Sequence, residues 1–336
     1  MDQVNLKRLA KELNLAVSTV SRALSDSYEI SAETKEKVLS LAKKLNYYPN
    51  PYARSLRKRN SNTIAVVIPE IANNFFSLVI DGIEEIAQAN GYHVLIYLTH
   101  ENHQKEVAFI RHLMSGRVDG VLMSLSSSTE DLSHLLELKK SNIPVVFFDR
   151  VCEEIDTVKV TTNDYESGLL ATRHLIERGC RDIGYLAFST NLSIDQKRMQ
   201  GYLDALGQHS IPVNDKYIVH CSNNSEENYE KIKALLSSQQ RPTGIFASVE
   251  LLAIECYEVC RELAIKIPQQ VKVISFSNLR TASLLNPSLT TITQPAFQIG
   301  KEAATALFSA IGKNAEELGN KKVVLSSALI ERESTQ

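Results

Sequence analysis

No apolar run of about 18 residues occurs in the 336-residue chain, so no membrane-spanning helix is expected and no membrane partner. The opening MDQVNLKRLAKELNLAV lacks the long apolar core of a secretory signal and reads as an amphipathic helix, so the expected location is cytoplasmic. Cysteine is sparse: Cys152, Cys180, Cys221, Cys256 and Cys260 are odd in number and scattered. Reduced structural thiols suit that compartment. Cys256 and Cys260 share a helix face, but no Cys/His pair nearby in sequence completes a zinc set, so no metal is expected. Catalytic signatures are missing too, with no GxGxxG, phosphate loop or GxSxG elbow. The eight histidines are dispersed, and Glu84-Glu85 and Glu226-Glu227 lie in polar stretches that read as solvated faces. An enzyme is therefore not expected, nor a cofactor.

What is present is an uneven charge distribution. The net charge of −2 is uninformative, but residues 1–60 hold twelve Lys/Arg against six Asp/Glu, a balance of +6. The remainder holds 25 against 33, a balance of −8. A basic head on an acidic body suggests that the head meets a polyanion; solvated charged helix faces would serve the charge pattern equally well.

The head reads as three short helices. Leu6, Leu9, Ala10 and Leu13 recur at helical spacing behind Asn5, a candidate cap, and Asn14 suits the left-handed residue that ends a helix. A second helix is expected from about Val17 to Leu24, with Val20, Ala23 and Leu24 inward. Two helices joined by so short a turn make a helix-turn-helix. A third follows Ser31, with Glu33 in its first turn and Val38, Leu41, Ala42 and Leu45 on one face. On the outer side of the second helix, Arg22 suits a bidentate bond to guanine and Val17 the thymine methyl. Ser18, Thr19 and Ser21 offer hydroxyls to phosphates or base edges. A three-helix bundle without a nucleic-acid partner would show the same periodicity.

The prolines in Asn46-Tyr47-Tyr48-Pro49-Asn50-Pro51 break the helix. Tyr52 to Arg59 then give about two basic helical turns with Leu56 as an apolar tip, too short to be stable alone. An apolar side chain among arginines suits a wedge between base steps in the minor groove; a plain basic linker is the simpler alternative.

These residues carry a family resemblance. LKRLAKELNLAVSTVSRAL, followed by ISAETKEKVLSLAKKLNYYPNPYARSLR, resembles the head of the lactose/galactose repressor family, and the likeness runs through the body. It implies that Val17, Ser18 and Arg22 face bases and that Leu56 is a minor-groove lever. The candidate DNA contacts are Val17, Ser18, Thr19, Ser21 and Arg22 in the head. Tyr47, Asn50, Ala53, Arg54, Leu56 and Arg57 join them in the hinge. One departure is Ala16, where the family commonly has Ser or Thr, which removes a capping hydroxyl.

From about Ser61, β-rich runs alternate with amphipathic helices. Strands are expected at 63–68, 93–98, 118–125, 144–149, 182–188, 217–220, 244–247, 271–276 and 322–329. Helices such as 75–90 and 165–178 lie between them. This alternation means parallel sheets covered on both faces, and two strand sets mean two subdomains around a cleft. The expected fold class is an all-α helix-turn-helix head plus an α/β body of two parallel-sheet subdomains. By the resemblance that body is periplasmic-binding-protein-like, with crossings near Thr161, Thr293 and Lys321. The expected organisation is a DNA-binding domain over 1–48, a hinge over 49–60, and an effector-binding and dimerisation domain over 61–336.

Ligands of open α/β sheets sit beyond the carboxyl ends of strands. The candidate effector residues there are Phe75, Phe76, Ser124, Asp149, Val249 and Ser277, and the resemblance adds Arg198. Val249-Glu250 and Ser277-Asn278 depart from the polar residues with which many members bind sugar hydroxyls. The expected function is a transcription regulator, of the repressor type, that binds double-stranded operator DNA under the control of a small-molecule effector. Control by a partner protein is the alternative, and a transport-type sugar receptor would lack the basic head. One short helix-turn-helix reads few base pairs, so a homodimer on a pseudo-palindrome is expected, its face including Phe297 to Ile311.

Overall fold

The computed structural model describes residues 5–47, 61–311 and 319–336. The chain divides into two compact units, one ending at Ser61 and the other beginning at Asn62.

In the first unit α1 spans Leu6–Glu12, α2 Val17–Leu24 and α3 Ala32–Lys44. Their ends follow from local chemistry. Asn5 Oδ1 accepts the amide of Arg8 at 3.0 Å, and Ser31 Oγ accepts that of Thr34 at 3.3 Å, each satisfying an orphan helix donor. Asn14 and Asn46 sit at φ +51° and +50° beyond α1 and α3, a conformation asparagine tolerates. Leu9, Ala10, Val20, Ala23, Val38 and Ala42 form one small core, with Leu6, Leu13, Leu15, Leu24 and Ile30 packed half-buried against it.

The second unit holds two six-stranded sheets. The first has the order β11-β5-β4-β3-β1-β2. Its strands are β1 (Thr63–Ile68), β2 (His93–Leu98), β3 (Gly120–Met123), β4 (Val145–Phe148), β5 (Lys159–Thr162) and β11 (Lys322–Leu325). The second has the order β12-β10-β9-β8-β6-β7. Its strands are β6 (Ile183–Ala187), β7 (Ile218–His220), β8 (Gly244–Ala247), β9 (Lys272–Phe276), β10 (Thr290–Thr293) and β12 (Ala328–Ile330). Inner strands such as β1 are continuously apolar because both faces are covered, while β2, at an edge, is half exposed.

Each sheet is sandwiched between helices. α4 (Asn74–Ala89) and α11 (Ala296–Ala310) cover one face of the first sheet; α5 (His103–Leu113) and α6 (Ser133–Lys140) cover the other. α7 (Asp164–Glu177) and α8 (Ser193–Gln208) cover one face of the second sheet; α9 (Ser225–Ser237) and α10 (Glu250–Glu262) cover the other.

Several expectations are corrected. The run 322–329 is two strands: β11 lies parallel to β5 in the first sheet, and β12 antiparallel to β10 in the second. The third crossing therefore falls at Ser326-Ser327, after Lys321, while the first two fall at Asn163 and Gln294-Pro295. β5 and β10 were not among the expected strands, because Lys159 and the threonines make them read as polar. Lys159 is nonetheless fully buried, its Nζ donating to Ile155 O at 2.8 Å and Asn320 Oδ1 at 3.0 Å. α11 turns Ile299, Ala303, Ala304 and Leu307 into the first half's own core, leaving Phe297 as its exposed large apolar residue. All five cysteines are free thiols.

Candidate functional site

In the head, α2 presents Val17, Ser18 and Arg22 to solvent, with Thr19 and Ser21 half-buried at the flanks. Ala16 makes no capping bond, as its side chain requires. Arg22 Nη1 lies 2.8 Å from Glu29 Oε2, so the guanidinium is held outward by an exposed ion pair. Such a pair is worth about 1 kcal/mol or less and yields readily to a better acceptor. Tyr47 is half-buried and packs against the head's core. Asn50, Ala53, Arg54, Leu56 and Arg57 lie outside the described residues. Tyr28, absent from the sequence-based candidates, is 93% exposed between α2 and α3, a wasteful place for an aromatic without a partner surface.

In the body, the carboxyl ends of both sheets face one cleft. Phe75, Phe76, Asp149, Arg198, Val249 and Ser277 all line it. Ser124 does not: it is fully buried at the end of β3, its amide bonded to Val67 O at 2.9 Å. Sequence reasoning overlooked Ile194, Phe276 and Gln294, which also line the cleft.

Arg198 is the most constrained group. Its Nε reaches Asp164 Oδ1 at 2.8 Å, its Nη1 the carbonyl of Ser248 at 2.7 Å, and its guanidinium lies 3.7 Å from the Phe276 ring centroid. Charge pairing, a carbonyl and an aromatic face together hold a buried cation that would otherwise be costly. Helix packing sets its position. A Cβ on Gly168 would meet Arg198 O at 2.5 Å, and one on Gly201 would meet Tyr165 O at 2.3 Å, so α7 and α8 touch backbone to backbone.

Across the cleft, Arg150 Nη1 binds Glu101 Oε1 at 2.6 Å. Its guanidinium lies between Phe76 of the first half and Phe188 of the second, at 5.8 and 5.6 Å. Asp149, at φ +57°, is buried beside it, and burial outweighs the two guanidiniums to push its carboxyl up to about 6. Gln294, at the second crossing, donates to Thr162 Oγ1 at 3.1 Å. Glu250 stands where the departures in sequence fall. It accepts from Ser277 Oγ at 2.6 Å and, across the cleft, from Asn74 Nδ2 at 3.3 Å. The cavity left among these groups is about 40 Å3, far below the roughly 300–1,000 Å3 of ordinary ligand pockets. A metabolite-sized molecule therefore enters only if the halves part or side chains withdraw.

A helix-turn-helix unit joined to a two-lobed, cleft-bearing α/β unit defines a DNA-binding regulator with a ligand-binding body. The comparisons agree. Residues 5–50 match the profile of bacterial regulatory proteins, lacI family, and residues 172–335 match the periplasmic binding protein-like domain. The HTH-type transcriptional repressor PurR of Serratia proteamaculans is 32% identical over 330 residues, 98% of this chain and 96% of that one. The Lac repressor dimer bound to operator superposes at TM-score 0.86 over 99% of each chain, at 20% identity, a likeness of fold. The ribose-bound LacI-family regulator of Enterococcus faecium matches at TM-score 0.72 and 27% identity, over 81% of this chain and 98% of that one. The chain belongs to the lacI family of bacterial regulatory proteins; it is a DNA-binding transcriptional repressor with a ligand-binding domain, not an enzyme. No described helix is long and apolar enough to cross a membrane.

Proposed function

We propose that this repressor works as a cytoplasmic homodimer whose grip on a pseudo-palindromic operator is set by a small hydroxyl-bearing metabolite in the cleft. The observation that carries the reading is the Arg198–Asp164–Phe276 constellation, a buried cation on an aromatic face lining a two-lobed cleft. Phe75 and Phe76, edge to face at 5.2 Å, offer a ring-stacking wall. Asp149, Glu250 and Ser277 supply acceptors and a hydroxyl, a set suited to sugars and related metabolites. The relative solved with ribose fits that class. Because the cleft as formed is nearly filled by its own side chains, effector binding and opening are one event. Only the spacing of the halves that suits paired hinges then grips DNA.

In the head, Val17, Ser18 and Arg22 read bases, Thr19 and Ser21 serve phosphates, and the hinge carries Asn50, Ala53, Arg54, Leu56 and Arg57 to the minor groove. Two experiments test the two ends. A thermal-shift screen of sugars and nucleobases should find a stabilising compound whose shift is lost in Arg198→Met; no shift with any metabolite would favour control by a partner protein. Leu56→Ala should lose operator affinity by at least about tenfold, lose little on random DNA, and abolish operator bending. If Leu56→Ala bends the operator like the parent, the hinge is only a linker.

A further inference from the structure

The eight histidines are dispersed in sequence, but the fold gathers two of them around one buried carboxylate. His103 and Glu106 stand one helical turn apart at the start of α5, whose first turn is capped by Asn102 Oδ1 accepting from Lys105 N at 3.0 Å. His134 comes from the second position of α6, on the same side of the first sheet. One metal-binding atom from each of His103, Glu106 and His134 lies within 4.8 Å of the others. Glu106 is fully buried and held by its own shell: Oε2 accepts from Ser126 N at 2.9 Å, and Oε1 from Thr129 Oγ1 at 2.8 Å. His134 Nε2 lies 2.9 Å from Glu106 Oε1, and the two imidazoles meet edge to face at 5.2 Å.

Two features do not fit a purely structural cluster. The Nδ1 atoms of both His103 and His134 are buried with no hydrogen-bond partner, an arrangement that costs free energy in proportion to the lost hydration. His103 is also only half-buried, which leaves an approach from solvent to an otherwise enclosed carboxylate. We propose that His103, Glu106 and His134 form a site for one divalent transition metal of the zinc class. Two imidazoles and a carboxylate are a known three-protein-ligand set for that ion, with the open fourth position taken by water. The harder magnesium ion prefers oxygen donors and binds such a set poorly. Ser126 and Thr129 then orient the carboxylate ligand, as groups behind a metal ligand do. Next to Ser126, Ser127 donates its amide to Glu101 at 2.6 Å, and Glu101 holds Arg150 at the cleft. A metal here ties the starts of α5 and α6 to the loop that supports the cleft's first half. The site stands whether or not the effector reading holds.

The test uses the full chain, stripped with chelator and dialysed, then titrated calorimetrically with Zn2+ and separately with Mg2+. One Zn2+ per chain and no Mg2+ uptake are expected. His103→Ala and His103→Gln, at a half-exposed position where folding survives, should each weaken zinc binding by about tenfold or more while leaving the far-ultraviolet circular dichroism unchanged. Co2+ added to the unaltered chain should give visible bands of nitrogen and oxygen ligands without a thiolate charge-transfer band. Absence of stoichiometric zinc, full affinity in both His103 variants, or a thiolate band pointing to the cysteines would each overturn the assignment.

Discussion

The two halves of the body use one strand order and one device, a buried arginine paired with a carboxylate beside a phenylalanine, yet they deploy it differently. In the second half the hydrogen-bond and ring partners of Arg198 are all local to that half: Asp164, the Ser248 carbonyl and Phe276. The arginine is fixed before any ligand arrives. In the first half Arg150 binds Glu101 on its own side but rests on Phe188 from across the cleft. Its Nε is buried without a hydrogen-bond partner, 3.9 Å from Asp149. One half is thus a finished anchor, and the other is completed only by the approach of its neighbour. Arg150 has a ring contact across the cleft, whereas the hydrogen bonds of Arg198 stay within its own half.

The largest effect should come from Arg198→Met, which leaves Asp164 buried and unpaired. A loss of roughly 3–5 kcal/mol in denaturant unfolding is expected. Arg150→Met should cost clearly less, because Glu101 keeps some solvent contact. Equal losses would mean that the two pairs are equivalent.

Asp149 gives the next effect, through pH. Its folded-state carboxyl titrates at about 6, above the ordinary value, so the folded chain holds this proton longer than the unfolded one. Native stability should fall as pH rises from the ordinary carboxylate range through 6 and then level off. Asp149→Asn removes that slope and should stabilise the protein at pH 7 by on the order of 2–3 kcal/mol. Parallel stability–pH curves for parent and variant would show that the two guanidiniums neutralise the carboxylate fully.

Gly168 and Gly201 bring α7 against α8, and Gly82 and Gly300 bring α4 against α11, where an added Cβ would meet a backbone oxygen at 2.1 Å. Gly168→Ala and Gly300→Ala should each cost about 1–3 kcal/mol by forcing the backbones apart. Only Gly168→Ala should also diminish the effector-dependent thermal shift, because it displaces the turn carrying Arg198. A diminished shift in both variants would locate the anchor in the closure of the whole cleft.

Much of this architecture is legible residue by residue. The TIAVVI run of β1 and the β/α alternation require buried parallel strands. Asn5, Asn14 and Ser31 mark helix ends by hydrogen bonds their own side chains make or conformations they tolerate. The exposed side of α2 follows from its period. Reading fails where a residue's role depends on a distant partner. KVTT and TTIT look like polar linkers, yet form inner strands, with the distant Asn320 and Thr335 among the groups that satisfy Lys159 and Thr290. Nothing in the sequence near Asp164 points to its partner Arg198, which lies 34 residues on.

Hydrogen bonding and side-chain period settle within a few residues the helices of the head, the parallel character of the sheets, and a cleft at the strands' carboxyl ends. Tertiary structure alone decided which charges meet. It paired Arg198 with Asp164, placed Arg150 between rings of opposite halves, split residues 322–330 between two sheets, and brought His103, Glu106 and His134 together. The reason is that a buried charge is tolerated only beside its partner, and that partner is chosen by helices whose glycines let backbones touch, a distance no local pattern encodes.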